Sequence, residues 1–319
     1  MKHALILHNR VNNSSKEDEL DVLNQASFIE TELLSLGYSS HIMDFDVNTN
    51  DLAEVIQNNK VSFVFNLVET INESGRFCFI APAILELLKV PFTGSGSEAI
   101  YLTTDKLICK TVLSYNNIKT PSWAKYVSDV QTEKIYIVKP ISEDGSVGIA
   151  DDIIFKGSEI TDIPKGYFAE EYIHGREFNI SIIGENTGFL VLPPAEMCFS
   201  NDYYQTKPRI LGYKAKWDEN SMEYKNTTRT FRFEIVDNDL IAELKEIAAK
   251  CWEIFGLKGY ARVDVRVGAD SKPTVIEINA NPCIAPDSGF VSACNEAGLT
   301  NTEIINLIIE DAKRYETRI

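Results

Sequence analysis

Acidic side chains stand inside two strongly apolar segments near the carboxyl end of the chain. Arg262 and Asp264 lie in the first segment, and Glu277 and Asn279 lie in the second. Each carboxylate has apolar neighbours at a period of two, which is typical of a buried strand. If the two strands pair, Asp264, Glu277 and Asn279 bring together the hard oxygen ligands that Mg²⁺ requires. A structural ion pair between Asp264 and Arg262 is the alternative interpretation, because a buried carboxylate needs a partner.

A lysine followed by a glycine-containing turn forms a second candidate site. The apolar segment 135–138 leads into Lys139, and the turn at 142–148 contains Gly145 and Ser146. Backbone N–H groups in such a turn can converge on phosphate oxygens while the lysine neutralises their charge. A hairpin loop with a surface lysine fits the same segment, so the turn alone does not decide between the two.

Three further carboxylates form a candidate nucleoside pocket. Glu170 and Glu171 end one apolar segment, and Glu177 begins the next. In the functional interpretation, backbone groups of residues 171–173 contact a purine edge and Glu177 accepts hydrogen bonds from ribose hydroxyls. The alternative is a solvated strand edge that binds no ligand.

A long polar stretch at 201–228 contains Lys216. A structureless loop of this length is unusual in a compact domain, and such loops often cover substrates. Lys216 is therefore either part of an ordinary basic patch or a second phosphate ligand on a closing lid.

Hydrophobic periodicity predicts the elements that position these residues. In the first third of the chain strands alternate with helices, which predicts βαβ units and a parallel sheet. Shorter strands separated by glycine-containing turns then predict an antiparallel sheet. The predicted strands are 4–7, 40–44, 61–67, 135–139, 153–155, 168–173, 178–183, 261–267 and 274–278, and the predicted helices are 20–36, 51–58, 81–88, 106–113, 240–255 and 302–315.

Composition limits the partners and the compartment. The chain has 319 residues and a formal net charge of −16, so no nucleic acid and no anionic membrane surface is expected as a partner. No segment approaches the roughly 18–20 uninterrupted apolar residues of a membrane helix. The six cysteines contain no C-x-x-C pair and predict reduced thiols rather than disulfides or a zinc site. These features together predict a cytoplasmic protein.

Several short stretches, in this order, resemble the ATP-grasp superfamily and, more closely, the D-alanine–D-alanine ligases and their relatives. They are 91–96 (PFTGSG), 105–107 (DKL), 138–140 (VKP), 177–178 (EF), 259–264 (GYARVD) and 277–279 (EIN). The resemblance covers most of the chain, best from about residue 91 to residue 309. It implies an α/β ATP-grasp fold with an N-terminal parallel-sheet domain at 1–95, a central lid subdomain at 96–183 and a C-terminal subdomain at 184–319. ATP would lie between the last two.

The same resemblance implies which residues bind the nucleotide and its ions. The residues that would contact ATP are Lys106, Lys139, Glu170, Glu171, Tyr172, Ile173, Glu177 and Lys216. Those that would hold two Mg²⁺ ions, or Mn²⁺ in their place, are Asp264, Glu277 and Asn279.

Catalytic and substrate residues follow from the resemblance in the same way. Arg262 would clamp the acyl phosphate and the tetrahedral species that follows, with Lys216 and Ser146 as further catalytic residues. The residues that would bind the amino-acid substrates are Glu17, Ser288 and Gly289.

This chain departs from the D-alanine–D-alanine ligases in loops that contact substrate. The histidine that the family carries after the third strand is missing from 66–76 (NLVETINESGR). Gly145-Ser146 leaves one hydroxyl where the family has paired serines, Trp217 replaces a tyrosine, and no glycine follows Pro282. The nucleotide and metal positions are kept, so the sequence predicts intact ATP chemistry with an altered donor or acceptor.

The implied reaction has two steps. A carboxylate attacks the γ-phosphorus of ATP to give an acyl phosphate, and an amine then displaces phosphate to form an amide. The expected substrates are small amino acids or carboxylates, joined by a D-alanine–D-alanine ligase proper or by a dipeptide or natural-product ligase. The residues also leave open a catalytically inactive nucleotide-binding protein and a phosphotransferase that stops at the acyl phosphate. A homodimer is implied by analogy alone.

Overall fold

The computed structural model describes residues 2–12, 15, 17–143, 153–185, 187–205 and 207–314. Within these ranges the strands form three sheets. None of the helices in the same ranges has the length and apolar character needed to cross a bilayer.

The first sheet is parallel, as the alternating pattern predicts. Its region contains β1 (Lys2–Asn9), α1 (Glu17–Ser35), β2 (Tyr38–Phe45), α2 (Thr49–Asn58), β3 (Val61–Leu67) and α3 (Ile80–Leu87). The strand order is β2-β1-β3, and β1 pairs in parallel with both neighbours. A central strand buried on both faces reads as a continuous apolar run, which is why its signal in the sequence is strong. Loops that follow the carboxyl ends of such strands are the usual ligand-binding loops.

The second sheet is antiparallel, again as predicted. Its region contains α4 (Ser97–Thr104), α5 (Lys106–Tyr115), β4 (Trp123–Ala124), β5 (Ile135–Pro140), β6 (Ile154–Lys156) and β7 (Tyr167–Glu171), with the strand order β4-β7-β5-β6. The helix predicted at 106–113 corresponds to α5, and the structure contains α4 as a further helix before it. Asp105 separates the two helices and caps α5, since its side chain accepts from the backbone N–H groups of Leu107 and Ile108, both at 3.0 Å.

The third sheet is built from the rest of the chain. Its region contains β8 (Arg176–Glu185), β9 (Gly188–Val191), β10 (Ala195–Phe199), α6 (Tyr213–Trp217), α7 (Met222–Lys225), β11 (Thr227–Thr230), α8 (Asn238–Ile254), β12 (Tyr260–Val267), β13 (Pro273–Asn279), α9 (Gly289–Glu296) and α10 (Asn301–Arg314). The order is β11-β10-β8-β12-β13, with β9 paired to β8. The polar stretch is therefore not structureless, because it holds α6 and α7 and leads into β11.

One predicted grouping is wrong. The sequence places the strand at 178–183 with the antiparallel strands of the second region. In the structure this strand, β8, pairs with β10 and β12 in the third sheet. Burial explains the choice, because β8 is buried along most of its length and needs a neighbour on each side. The domain boundaries at 95 and 183 stay predictions.

Two apolar cores tie the regions together. The first joins β1 and α1 to α10, where Ala4 and Ile6 belong to the same buried cluster as Ile305. The second joins β8, β12 and β13 to α8 and α5. Gly259, which has a φ of +65°, marks a close approach between regions, because a Cβ there would meet the backbone N of Gly94 at 2.7 Å.

Candidate active site

One face of the third sheet gathers the predicted acidic residues. β12 and β13 pair antiparallel, with Asp264 opposite Glu277 and Arg262 opposite Asn279. Residues directly opposite each other in an antiparallel pair point to the same face of the sheet. On the other side of β12, Asn179 of β8 donates to Asp264 Oδ1 at 2.8 Å. The sheet therefore concentrates two carboxylates, two amides and a guanidinium on one surface, named the acidic face below.

Each carboxylate of the acidic face is bound by a cation. Arg262 donates to both oxygens of Asp264, at 2.7 and 2.8 Å. Lys106 Nζ lies 2.8 Å from Glu277 Oε1 and donates to the backbone O of Glu143 at 2.7 Å. The ion pair between Asp264 and Arg262, which was the alternative interpretation of the sequence, is therefore present. Asp264 also belongs to the cluster of oxygen ligands on the acidic face. Such pairs offset the cost of removing the charges from water.

The acidic face fits a magnesium site. Mg²⁺ takes oxygen ligands and is usually held by one or two carboxylates together with substrate phosphates. Asp264 and Glu277 supply two carboxylates, and Asn279 supplies an amide oxygen, which accepts a hydrogen bond from the backbone N of Asn281 at 2.9 Å. In the part of the chain that the structure describes, no group of three or more His, Cys, Asp or Glu side chains could hold a metal ion, so a site at the acidic face would need the Asn279 amide beside its two carboxylates.

Lys216 of α6 lies close to the acidic face. Burial and, next, the Arg262 guanidinium lower the pKa of Lys216 from its ordinary value, and the charges of Glu277 and Asp264 oppose this shift. The polar stretch therefore brings a lysine to the acidic face, as the lid interpretation expects.

A narrow cleft of about 70 Å³ lies between the second and third sheets. With the exception of Lys106, the residues predicted to contact a nucleotide all line this cleft: Lys139, Glu170, Glu171, Tyr172, Ile173, Glu177 and Lys216. Residues that are far apart in the sequence thus line one cleft, between the two regions where the family resemblance implies that ATP binds.

The two neighbouring glutamates at the end of β7 have different environments. Glu170 is buried and binds Lys139 at 2.7 Å and also Lys110, which the sequence analysis missed. Burial alone would raise the pKa of the Glu170 carboxyl, but the two lysines hold it below its ordinary value. Glu171 is half-buried and binds Lys134 at 2.7 Å.

Arg266 is a second residue of the cleft that sequence reasoning missed. Its guanidinium donates to Glu177 Oε2, at 2.5 Å from Nη2 and 3.1 Å from Nε. It also donates to the backbone O of Ile173 at 2.9 Å and to the backbone O of Arg209 in the polar stretch. The sequence feature that could have identified Arg266 is its position in β12, two residues after Asp264. Period-two alternation puts both on the same side of the sheet.

A larger cavity of about 540 Å³ adjoins the acidic face. Arg262, Glu277 and Asn279 form part of its wall, and the polar stretch contributes Lys216 and Trp217. The cavity therefore opens onto the acidic face.

The predicted substrate residues Ser288 and Gly289 line this cavity where α9 begins. Arg229 of β11 lines it as well and was not predicted. Its guanidinium donates to Ser292 Oγ at 2.7 Å, and burial, followed by the charge of Arg262, lowers the pKa of Arg229. Two guanidinium groups that face one cavity form a surface suited to a carboxylate.

For two further predicted residues the structure gives no place at the cavity, since one lies elsewhere and the other is not described. Glu17 is exposed at the start of α1 and is not part of the cavity wall, whereas Glu19 and Asp21 are. Ser146, like Gly145, lies outside the described residues.

The fold is the ATP-grasp fold, and its family makes the protein an ATP-grasp ligase. The sequence model of the D-ala D-ala ligase C-terminus matches residues 112–310, and the chain belongs to this family. The predicted family and fold are thereby confirmed.

Individual relatives cover between 79% and 100% of the chain. The D-alanine–D-alanine ligase of Carboxydothermus hydrogenoformans is 27% identical over 317 residues, and its alignment covers 92% of this chain and 94% of that protein. An uncharacterized protein of Sinorhizobium fredii, y4sG, is 29% identical over 263 residues, and its alignment covers 79% of this chain and 74% of that protein. The D-alanine–D-alanine ligase from Bacillus anthracis, solved in complex with ATP, is 19% identical, with a TM-score of 0.72 over 100% of this chain and 99% of that one.

Proposed function

We propose that this protein joins a small carboxylate substrate to an amine in a reaction that uses ATP and Mg²⁺ and releases ADP and phosphate. The observation that carries the proposal is the acidic face, where Asp264 lies opposite Glu277 with Arg262 and Lys216 close by. In this reaction a carboxylate must meet a triphosphate, so cations and metal ligands are needed at one place. Membership of the D-ala D-ala ligase family supports the ATP-dependent ligase class.

The narrow cleft is proposed as the nucleotide site. Backbone groups around Ile173 would contact the purine, Glu177 would accept hydrogen bonds from the ribose, and Lys139 would lie toward the phosphates. The Bacillus anthracis ligase, which shares the fold, was solved in complex with ATP, and this supports ATP as the nucleotide.

Asp264, Glu277 and Asn279 would hold Mg²⁺, which neutralises phosphate charge when it is bound. In the first step, a substrate carboxylate oxygen bonds to the γ-phosphorus and ADP leaves. In the second step, the amine nitrogen bonds to the acyl carbon, phosphate leaves, and the nitrogen loses a proton. Arg262 would stabilise the charge that develops on the acyl group, and Lys216 would stabilise charge on the transferred phosphoryl group.

A second candidate is a ligase for amino acids other than D-alanine. The observation that favours it is the wall of the larger cavity, which contains Trp217 at the end of α6 and Glu69 in the loop after β3, where the sequence departs from the D-alanine–D-alanine ligases. A homodimer stays a proposal by analogy, and light scattering on the purified chain tests it.

The experiment is a measurement of ADP release with ATP, Mg²⁺ and panels of D- and L-amino acids. Turnover that depends on D-alanine identifies a D-alanine–D-alanine ligase. Turnover with other amino acids of the panels supports the second candidate, a ligase for amino acids other than D-alanine. Mass spectrometry of the product distinguishes an amide from a stable acyl phosphate.

Arg262 tests the catalytic assignment. Arg262→Ala is expected to lower kcat on the order of a hundredfold or more, because a charge-stabilising donor is lost. Arg262→Lys keeps a positive charge near Asp264 and serves as the matched control for folding. Unchanged ADP release by Arg262→Ala at saturating substrate would contradict the assignment.

A further inference from the structure

The arginines in the strands of the third sheet differ in their partners. Arg176 of β8 binds a carboxylate through at least two hydrogen bonds, and so do Arg262 and Arg266 of β12. Arg229 of β11 is the exception, because it binds none of the carboxylates that the structure describes. A guanidinium that is left without a carboxylate is a candidate for binding one from a ligand.

The guanidinium of Arg229 is anchored at one nitrogen only. Nη1 donates to Ser292 Oγ at 2.7 Å and to the backbone O of Asp287 at 3.4 Å, and Nε and Nη2 have no hydrogen-bond partner among the described residues. Protein atoms crowd the group, but the residue as a whole is exposed and lines the larger cavity. A ligand in the cavity can therefore reach a pair of N–H donors whose position is already fixed.

Strand pairing places Arg229 on the same side of the third sheet as the acidic face. Residues directly opposite each other point to the same side. One row of opposite residues crosses β12, β8, β10 and β11: Arg266, Glu177, Met197 and Arg229. Arg262 also points to this side, but β11 lies three strand spacings from β12, which is roughly 14 Å. Arg229 therefore stands at the edge of the sheet away from Arg262, where it suits substrate recognition rather than the chemical steps.

The charges near Arg229 favour an anion. After burial, Arg262 has the largest effect on the pKa of Arg229 and lowers it, and Asp287 opposes this shift. An anion that binds beside the two guanidinium groups reduces the repulsion between them. The acidic residues that α1 and the loop after β3 contribute to the cavity belong to the first region, whereas Arg229 belongs to the third.

Arg229 adjoins a second substrate-binding element. The family resemblance implies that Ser288 and Gly289, where α9 begins, bind an amino-acid substrate, and it does not include Arg229. A Cβ on Gly289 would lie 3.7 Å from Cζ of Arg229, so the guanidinium packs directly beside this position. Two different groups that can bind carboxylates are thus neighbours in the wall of one cavity.

We propose that Arg229 determines specificity by binding a side-chain carboxylate, so that the substrate that supplies the amine is an acidic amino acid such as aspartate or glutamate. A neutral amino acid has one carboxylate, which Ser288 and Gly289 would hold, and it leaves the donors of Arg229 unused. An acidic amino acid brings a second carboxylate, which matches the planar pair of donors on Arg229. The use of this substrate in the reaction rests on the proposed function, but its binding does not.

The test compares aspartate with asparagine and glutamate with glutamine, because the members of each pair have nearly the same shape and differ in one charge. Calorimetry uses the full chain with Mg²⁺ and a non-hydrolysable ATP analogue, and both enantiomers are tested. In at least one pair the acid is expected to bind about tenfold more tightly than its amide, because charge-assisted hydrogen bonds are gained. Equal affinities within both pairs, or no detectable binding of any of the acids, would overturn the proposal.

Arg229→Met removes the charge and keeps much of the length of the side chain. It is expected to weaken binding of the preferred acid on the order of tenfold while binding of the amide changes little, and Arg229→Lys should give an intermediate loss. Arg232→Met, at an exposed position outside the described lining of the cavity, is the matched control. Equal losses for acid and amide would show that Arg229 holds α9 in place or binds the carboxylate common to both, and would contradict the proposal.

ADP release separates this inference from the proposed function. Turnover with neutral amino acids and no preference for acidic ones would overturn the proposed role of Arg229 and leave the ligase proposal intact. Arg229-dependent binding of an acidic amino acid without ADP release in any amino-acid combination would support the role of Arg229 and count against the ligase proposal.

Discussion

At the scale of single residues, Lys216 illustrates the free-energy cost of burying a positive charge. Its pKa is lowered from the ordinary 10.5, first by burial and then by Arg262. Between the lowered pKa and 10.5 the unfolded chain binds more protons than the folded chain. The free energy of unfolding of the native protein therefore rises with pH across this window.

Lys216→Met is expected to be more stable than the native protein at neutral pH, because the variant does not bury this charge. The difference in the free energy of unfolding should narrow as the pH rises toward 10.5, while ADP release falls on the order of a hundredfold. Urea unfolding at a series of pH values, together with turnover, checks both parts. A stability difference that widens with increasing pH would contradict the assigned direction of the shift.

At the scale of elements, the end of β7 provides a matched comparison of two ion pairs. Lys110 and Glu170 are almost fully buried, whereas Lys134 and Glu171 are 32% and 28% exposed. Lys110→Met is expected to lower the free energy of unfolding by about 3 kcal/mol, because a buried carboxylate loses one of its two cations. Lys134→Met should cost at most about 1 kcal/mol. Urea unfolding of both variants tests the contrast, and similar losses would refute it.

The polar stretch is connected to the narrow cleft by Arg266. The guanidinium of Arg266 donates hydrogen bonds to Glu177 and to the backbone carbonyls of Ile173 and Arg209. Arg266→Lys keeps the positive charge but removes the planar set of guanidinium N–H donors. The KM for ATP is therefore expected to rise about tenfold, with a smaller change in the KM for the amino acid. Steady-state kinetics with each substrate varied in turn separates the two constants, and a change confined to the amino acid would exclude this positioning role.

At the scale of the whole molecule, the first and third regions share one apolar core. Ile305 of α10 is fully buried in the cluster that contains Ala4 and Ile6 of β1. Ile305→Ala is expected to cost about 2–5 kcal/mol and to speed hydrogen exchange in β1 as well as in α10. The exposed neighbour Asn306 provides the control, since Asn306→Ala should change stability by less than about 0.5 kcal/mol. Faster exchange in α10 alone would show that the two regions unfold separately.

The sequence was sufficient for the local elements and for the family. Val61–Leu67 of β3 coincides with the predicted strand, and most other elements differ by only a few residues, because period and composition are local properties. The acidic residues of β12 and β13 were also predictable, since carboxylates inside apolar strands need a partner or a metal. The family followed from several short motifs in a fixed order.

The partners of these elements were decided by the tertiary structure. The sequence identified β8 as a strand but assigned it to the wrong sheet, because pairing depends on burial and register across the fold. Lys110 and Arg229 carry no local signal that sets them apart from surface cations, and only packing brings Lys110 to Glu170 and Arg229 to the cavity. For Arg266 the local pattern indicates only which face of β12 it is on. The larger cavity likewise exists only where the end of β1, α1 and the loop after β3 meet the third region. Local pattern fixes what a segment becomes, whereas contacts between distant segments fix which charges are buried together, and the proposed chemistry depends on those contacts.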